Sequence, residues 1–130
     1  NFDYNNDGTI VAYKGQSEKI AIPTDIEGVK ITKIDENAFE ECRSLQSVHV
    51  PVGTQRIANK AFKDAKLSAI YIPPTVIHIG MEEGNRFSRE ETFGYILIPK
   101  DFTIYCTAGS VAMEYARKKR VIKNQKKSYR

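Results

Sequence analysis

The sequence predicts a single α/β solenoid in which short parallel strands stack side by side, joined by proline turns and short helical turns, with a β-hairpin at the N-terminal end and a helix at the C-terminal end. Three observations predict it. First, SLQSVHVP at 44–51, KLSAIYIP at 66–73 and TFGYILIP at 92–99 share one pattern. Leu45, Leu67 and Phe93 each stand three residues before Val48, Ile70 and Ile96, then Val50, Ile72 and Ile98 follow, and Pro51, Pro73 and Pro99 close the segment. Second, Thr54 and Ile57, Val76 and Ile79, and Phe102 and Tyr105 stand at the third and sixth positions after each proline. Third, the pairs Ala38–Phe39 and Ala61–Phe62 follow Ile34 and Ile57 at the same distance, each succeeded by a small residue, Cys42 or Ala65. A fixed period in three patterns at once is the signature of stacked supersecondary units, none of which buries its apolar face alone.

The elements follow in order. Phe2–Tyr4 and Thr9–Tyr13 flank the turn-formers Asn5–Gly8, which predicts a hairpin shielding the first strand. A looser first unit holds Ile20, Ile22 and Pro23, with the insertion DIEGVK before Ile31 and Ile34. In each later unit the strand, the proline turn, a short extended segment and a short helical turn with its Phe plug lead to the next strand. Stacking in parallel places equivalent side chains about 4.8 Å apart. Leu45, Leu67 and Phe93 then form one buried column with Val48, Val50, Ile70, Ile72, Ile96 and Ile98. Because successive strand residues face opposite ways, Ser47, His49, Ala69, Tyr71, Tyr95 and Leu97 face out, with Lys19 and Ala21 of the first unit. Met81–Thr92 breaks the pattern and reads as a long charged loop. Ser110 is the expected N-cap of a helix to about Arg120 with Val111 and Tyr115 on one face, its basic residues placed where the helix dipole favours them. The expected division is a hairpin cap over 1–21, repeats over 22–107, a helical cap over 108–123 and a basic tail over 124–130.

Bulk properties agree with one soluble domain. A chain of 130 residues buries about 65–70% of the surface its unfolded form exposes, and at 41% hydrophobic and 28% charged it carries no apolar run near the ~18 residues a membrane span needs. It starts without Met or a signal-peptide pattern, which reads as a cut or processed form, so targeting signals do not reveal the compartment. The net charge of +4 is unevenly spread: all 16 acidic residues precede residue 117, and 117–130 holds eight basic residues and no acidic one. Such a tail reads as a solvated helix end or linker rather than as a nucleic-acid or lipid contact.

With these residues in hand, Ile22–Pro99 resembles the BspA-like branch of leucine-rich repeat proteins, whose unit runs approximately Ile-Pro-x-x-Val-x-x-Ile-x-x-x-Ala-Phe-x-x-Cys-x-x-Leu-x-x-Val-x-Ile-Pro. DGTIVAYKG resembles the family's opening segment and TIYCTAGSVAMEYARKK its closing one. The third unit departs from the pattern, with MEEGNRF in place of the Ala-Phe pair and SREET lengthening the return. The resemblance implies secreted or surface-anchored proteins of host-associated microbes, engaged in adhesion to host or neighbouring-cell proteins, and it implies no catalysis or cofactor.

Asp3, Asn5, Asp7 and Gly8 match the first positions of a calcium loop, but Lys14 stands where a bidentate Glu is required, so the segment reads as an Asn/Asp/Gly turn. Cys42 and Cys106 lack metal or redox spacing; Cys42 fills the slot of Ala65 and reads as a small buried hydrophobe, Cys106 sits in a turn with partial exposure, and units far apart along the stack disfavour a disulfide between them. His49 and His78 have no second ligand at a ligand spacing. No motif frames a nucleophile, no phosphate loop follows a strand, and the acid pairs lie in turns, so the sequence does not read as an enzyme. What remains is binding. His49, Tyr71, Tyr95 and Leu97 form the expected partner face, with a protein or a glycan as the partner, at the cell surface or outside it. The alternative is a structural spacer within a larger surface protein, without its own ligand.

Overall fold

The computed structural model describes residues 1–58, 60–62, 65, 67–79, 92–93, 96–97 and 103–119. Of the expected loop Met81–Thr92, residues 81–91 lie outside them, as do Tyr95, Ile98–Phe102 and the tail beyond residue 119, while Thr92 opens a strand. The hairpin forms where the turn-formers place it: β1 (Phe2–Tyr4) pairs antiparallel with β2 (Thr9–Tyr13). Gly8 is its keystone. It sits at φ +89°, and a Cβ there would come within 2.1 Å of the Lys30 carbonyl oxygen, while its own carbonyl accepts from the amides of Thr32 and Lys33. β3 (Lys19–Ala21) opens the repeats, and the insertion forms its own hairpin, β4 (Asp25–Ile26) with β5 (Val29–Lys30), turning on Glu27 and Gly28, both left-handed.

Each later unit contributes one strand to each of two sheets. β6 (Lys33–Ile34), β8 (Arg56–Ile57) and β10 (His78–Ile79) extend the hairpin into a five-stranded sheet of order β1-β2-β6-β8-β10, parallel from β2 onward. Ile10, Ile34, Ile57 and Ile79 stand in register along it, all buried. The second sheet has the order β13-β9-β7-β3 and is wholly parallel, with β7 (Ser47–His49), β9 (Ala69–Tyr71) and β13 (Thr103–Tyr105). Its inward column is Ile20, Val48, Ile70 and Ile104, and the last three are fully buried. Both columns, with Leu45, Val50, Leu67 and Ile72, belong to one apolar core. A fully buried Ile, Leu or Val contributes about 1.5–3 kcal/mol relative to an exposed one, so these columns are the main source of cohesion.

Four expectations are corrected here. The strand beside β9 is β13, not the segment around Ile96: β12 (Ile96–Leu97) pairs antiparallel with β11 (Thr92–Phe93), in a sheet of their own. The hairpin covers β6 rather than β3, which lies at the edge of its own sheet. The Ala-Phe segments are successive turns rather than helical ones. Amides bond three residues back (Ala38 to Asp35, Cys42 to Phe39, Ala61 to Ala58), and Asn37, Glu41 and Lys60 hold left-handed backbones. The physical reason is lateral pairing: the amides of Tyr13, Asn37 and Phe39 donate to the carbonyls of Ala38, Lys60 and Ala61, so these peptides bond to the next unit instead of continuing a helix.

The last correction concerns α1 (Val111–Lys119). Ser110 caps it as expected, its Oγ accepting from the Met113 amide at 3.2 Å. The buried face, however, is Ala112, Met113 and Ala116, and Val111 is exposed. These three residues join the core that the strands build, and the helix packs against β10.

Candidate functional site

Alternation along β3, β7, β9 and β13 turns two rows of side chains away from the core. One row is Lys19, Ser47, Ala69 and Thr103, the last of them buried; the other is Ala21, His49, Tyr71 and Tyr105. In the second row the aromatic rings stack. His49 lies over Tyr71 with centroids 5.0 Å apart, Tyr71 over Tyr105 at 4.3 Å, and each pair is tilted by 8°. The strand spacing of about 4.8 Å sets this rung distance, and each aromatic pair adds about 0.5–1.5 kcal/mol beyond its buried area.

The stack decides what the face offers. Between neighbouring rungs the ring faces meet each other, so what the row presents to solvent is ring edges and the polar atoms on them. A row of edges suits hydrogen bonding and side-on packing with a protein surface better than ring-face stacking on a sugar. Burial, the neighbouring charge of Tyr105 and a hydrogen bond with it push the Tyr71 phenol above its ordinary value, so it remains a neutral hydroxyl. Lys19 and Ser47 supply a polar margin, and the row becomes more aromatic away from β3.

His49 and Tyr71 therefore stand together as the sequence predicts. The rung next to Tyr71 is Tyr105. Leu97 is on the separate β11–β12 hairpin and Tyr95 lies outside the described residues. Tyr105 was missed because its position was counted from Pro99. The signal was nonetheless present: Thr-Ile-Tyr-Cys at 103–106 matches Ala-Ile-Tyr-Ile at 69–72 residue for residue, with Cys106 in the slot of Ile72, both fully buried.

The remaining candidates are plainer. Asn5 and Asp7 direct their side-chain oxygens at Thr9, whose amide and hydroxyl donate to them, and Lys14 pairs with Asp3 at 3.4 Å, so the acidic segment satisfies itself as a turn. Among the described residues no three His, Cys, Asp or Glu side chains cluster to hold a metal. Cys106 is buried rather than partly exposed, and burial raises its thiol, opposed by a hydrogen bond with Ser110. Cys42 is half-buried rather than enclosed, since it borders an open cleft of about 380 Å³ between residues 13–17 and 40–45. Both thiols are free. No described helix is long and apolar enough to cross a membrane.

A model of the BspA type leucine rich repeat region matches residues 12–110 in six copies. The chain belongs to this family. Its repeats are in general protein-interaction modules, typically without enzymatic activity, and the family is generally secreted or surface-located. Of solved structures, the chain is similar to a leucine-rich repeat protein of T. pallidum, with 14% identity over 99% of this chain and 97% of that one and a TM-score of 0.48. No curated protein is similar enough to count as a relative.

Proposed function

We propose that this BspA-type chain is a recognition module of a secreted or surface-exposed protein, adhering to a protein on a host or neighbouring cell through the outward face of β3, β7, β9 and β13. The observation that supports it most is the stacked row His49–Tyr71–Tyr105, held by the parallel register on a rigid sheet. Tyrosine is enriched where binding energy concentrates, and an aromatic centre with a polar margin is the usual composition of a protein-binding patch. In this reading the repeats form a solenoid over 22–107, with residues 1–21 and 108–123 as its two caps and 124–130 as a basic tail.

The test is a binding screen against extracellular matrix and cell-surface proteins, followed by Tyr71→Ala and Tyr105→Ala in one chain. The double variant is expected to weaken the partner found by at least about 2 kcal/mol while the cooperative melt is retained. Binding unchanged by both substitutions moves recognition off this face, and a chain that holds no protein in the screen supports the spacer role instead.

A further inference from the structure

The five-stranded sheet carries a different row on its own outward face. Lys33, Arg56 and His78 occupy one register position on three adjacent parallel strands, β6, β8 and β10. Their inward neighbours Ile34, Ile57 and Ile79 are core residues, so alternation turns the three basic side chains out together. Arg56 is exposed, and Lys33 and His78 are half-exposed. Neither Lys33 nor Arg56 has a carboxylate of the described residues within ion-pair distance. Two like cations set one strand apart repel unless something neutralises them, and here nothing in the described chain does.

We propose that this row binds a linear anionic polysaccharide whose sugars carry carboxylate or sulfate groups. The spacing argues for the polymer. The three basic side chains stand about 4.8 Å apart, roughly one sugar ring per strand along a glycan chain. An extended acidic peptide repeats its same-face carboxylates every ~6.8 Å and drifts out of phase within two steps. Single-stranded nucleic acid needs aromatic platforms as well as cations, and the neighbouring outward positions on this face, Val11, Asp35 and Ala58, offer none. The Arg56 guanidinium supplies the fork that grips a carboxylate or sulfate through two hydrogen bonds. The acidic neighbours set the direction. Asp7, bonded to Thr9 in the next register position beyond Lys33, blocks continuation toward the hairpin, and Asp35 bounds the row on the side of its own strand. The polymer therefore runs from Lys33 across Arg56 to His78.

The experiment measures heparin binding to the full chain by calorimetry at several salt concentrations, since the basic residues after 116 are a competing site. Lys33→Gln with Arg56→Gln is expected to reduce affinity about tenfold or more and to lessen the salt dependence by the equivalent of one to two released counterions. Lys123→Gln, Lys126→Gln, Lys127→Gln and Arg130→Gln together are expected to change affinity less than about threefold, and Tyr71→Ala with Tyr105→Ala not at all. Should the double variant lose its cooperative melt, Arg56→Gln alone, at an exposed site, carries the test in the same direction. Absence of heparin binding, loss confined to the tail variant, or polyglutamate binding as tightly through Lys33 and Arg56 overturns the proposal.

Discussion

The rings of Phe39 and Phe62 lie parallel to within 11°, with centroids 4.9 Å apart, and both side chains are fully buried. That separation is one strand step, so the stack records the register of two successive units. Tyr13 packs on Phe39 at 5.6 Å and Phe2 on Tyr13 at 5.2 Å, which carries the aromatic column into the N-terminal hairpin.

Phe39→Ala and Phe62→Ala are each expected to cost about 3–5 kcal/mol in chemical denaturation. The double variant should cost less than the sum, by about 0.5–1.5 kcal/mol, because each single change already removes the ring contact. Losses under about 1 kcal/mol at both sites contradict the register.

Gly8→Ala is expected to destabilise the chain by about 3 kcal/mol, from the left-handed backbone and the collision with the Lys30 carbonyl together. Gly28→Ala provides the control. Gly28 is also left-handed at φ +86° but has nothing within 4 Å of an added Cβ, so only the backbone cost applies. Equal losses at both sites, measured by urea denaturation, contradict the close approach.

Thr54→Val is expected to stabilise the chain by about 1 kcal/mol. The Thr54 hydroxyl is fully buried and has no hydrogen-bond partner, and the equivalent position in the next unit is Val76, also fully buried. Valine keeps the shape and removes an unsatisfied polar atom. A melting temperature that falls would mean that the hydroxyl has a partner in solution.

Tyr71 sets an alkaline limit. Its phenol is raised in the folded chain, first by burial, so on raising the pH the unfolded chain releases this proton before the folded one does. The associated stability is fully present below the ordinary phenol value of about 10 and is lost as pH climbs through the higher folded value. Tyr71→Phe is expected to make the decline above pH ~10 shallower, as read by urea midpoints across that range. An unchanged decline assigns the alkaline sensitivity to other groups.

The repeat period, the inward columns through Val48 and Ile70 and through Ile34 and Ile57, the Phe39–Phe62 pair, the hairpin on Asn5–Gly8 and the Ser110 cap were all legible in the amino-acid sequence. Each rests on local chemistry: alternation that sorts two strand faces, a turn that needs glycine, a hydroxyl before a helix. His49 and Tyr71 were legible as outward for the same reason. The tertiary structure alone decided which strand lies beside Tyr71. Ile96–Leu97 and Thr103–Tyr105 both read as short apolar strands, and an alternating pattern specifies a face without naming a neighbour. The choice belongs to β13 because Ile104 completes the buried column with Ile70 while Tyr105 stacks on Tyr71, a gain on both faces of one strand. The row Lys33–Arg56–His78 has the same origin: three basic residues, each more than twenty positions from the next, become neighbours only through the register of three parallel strands.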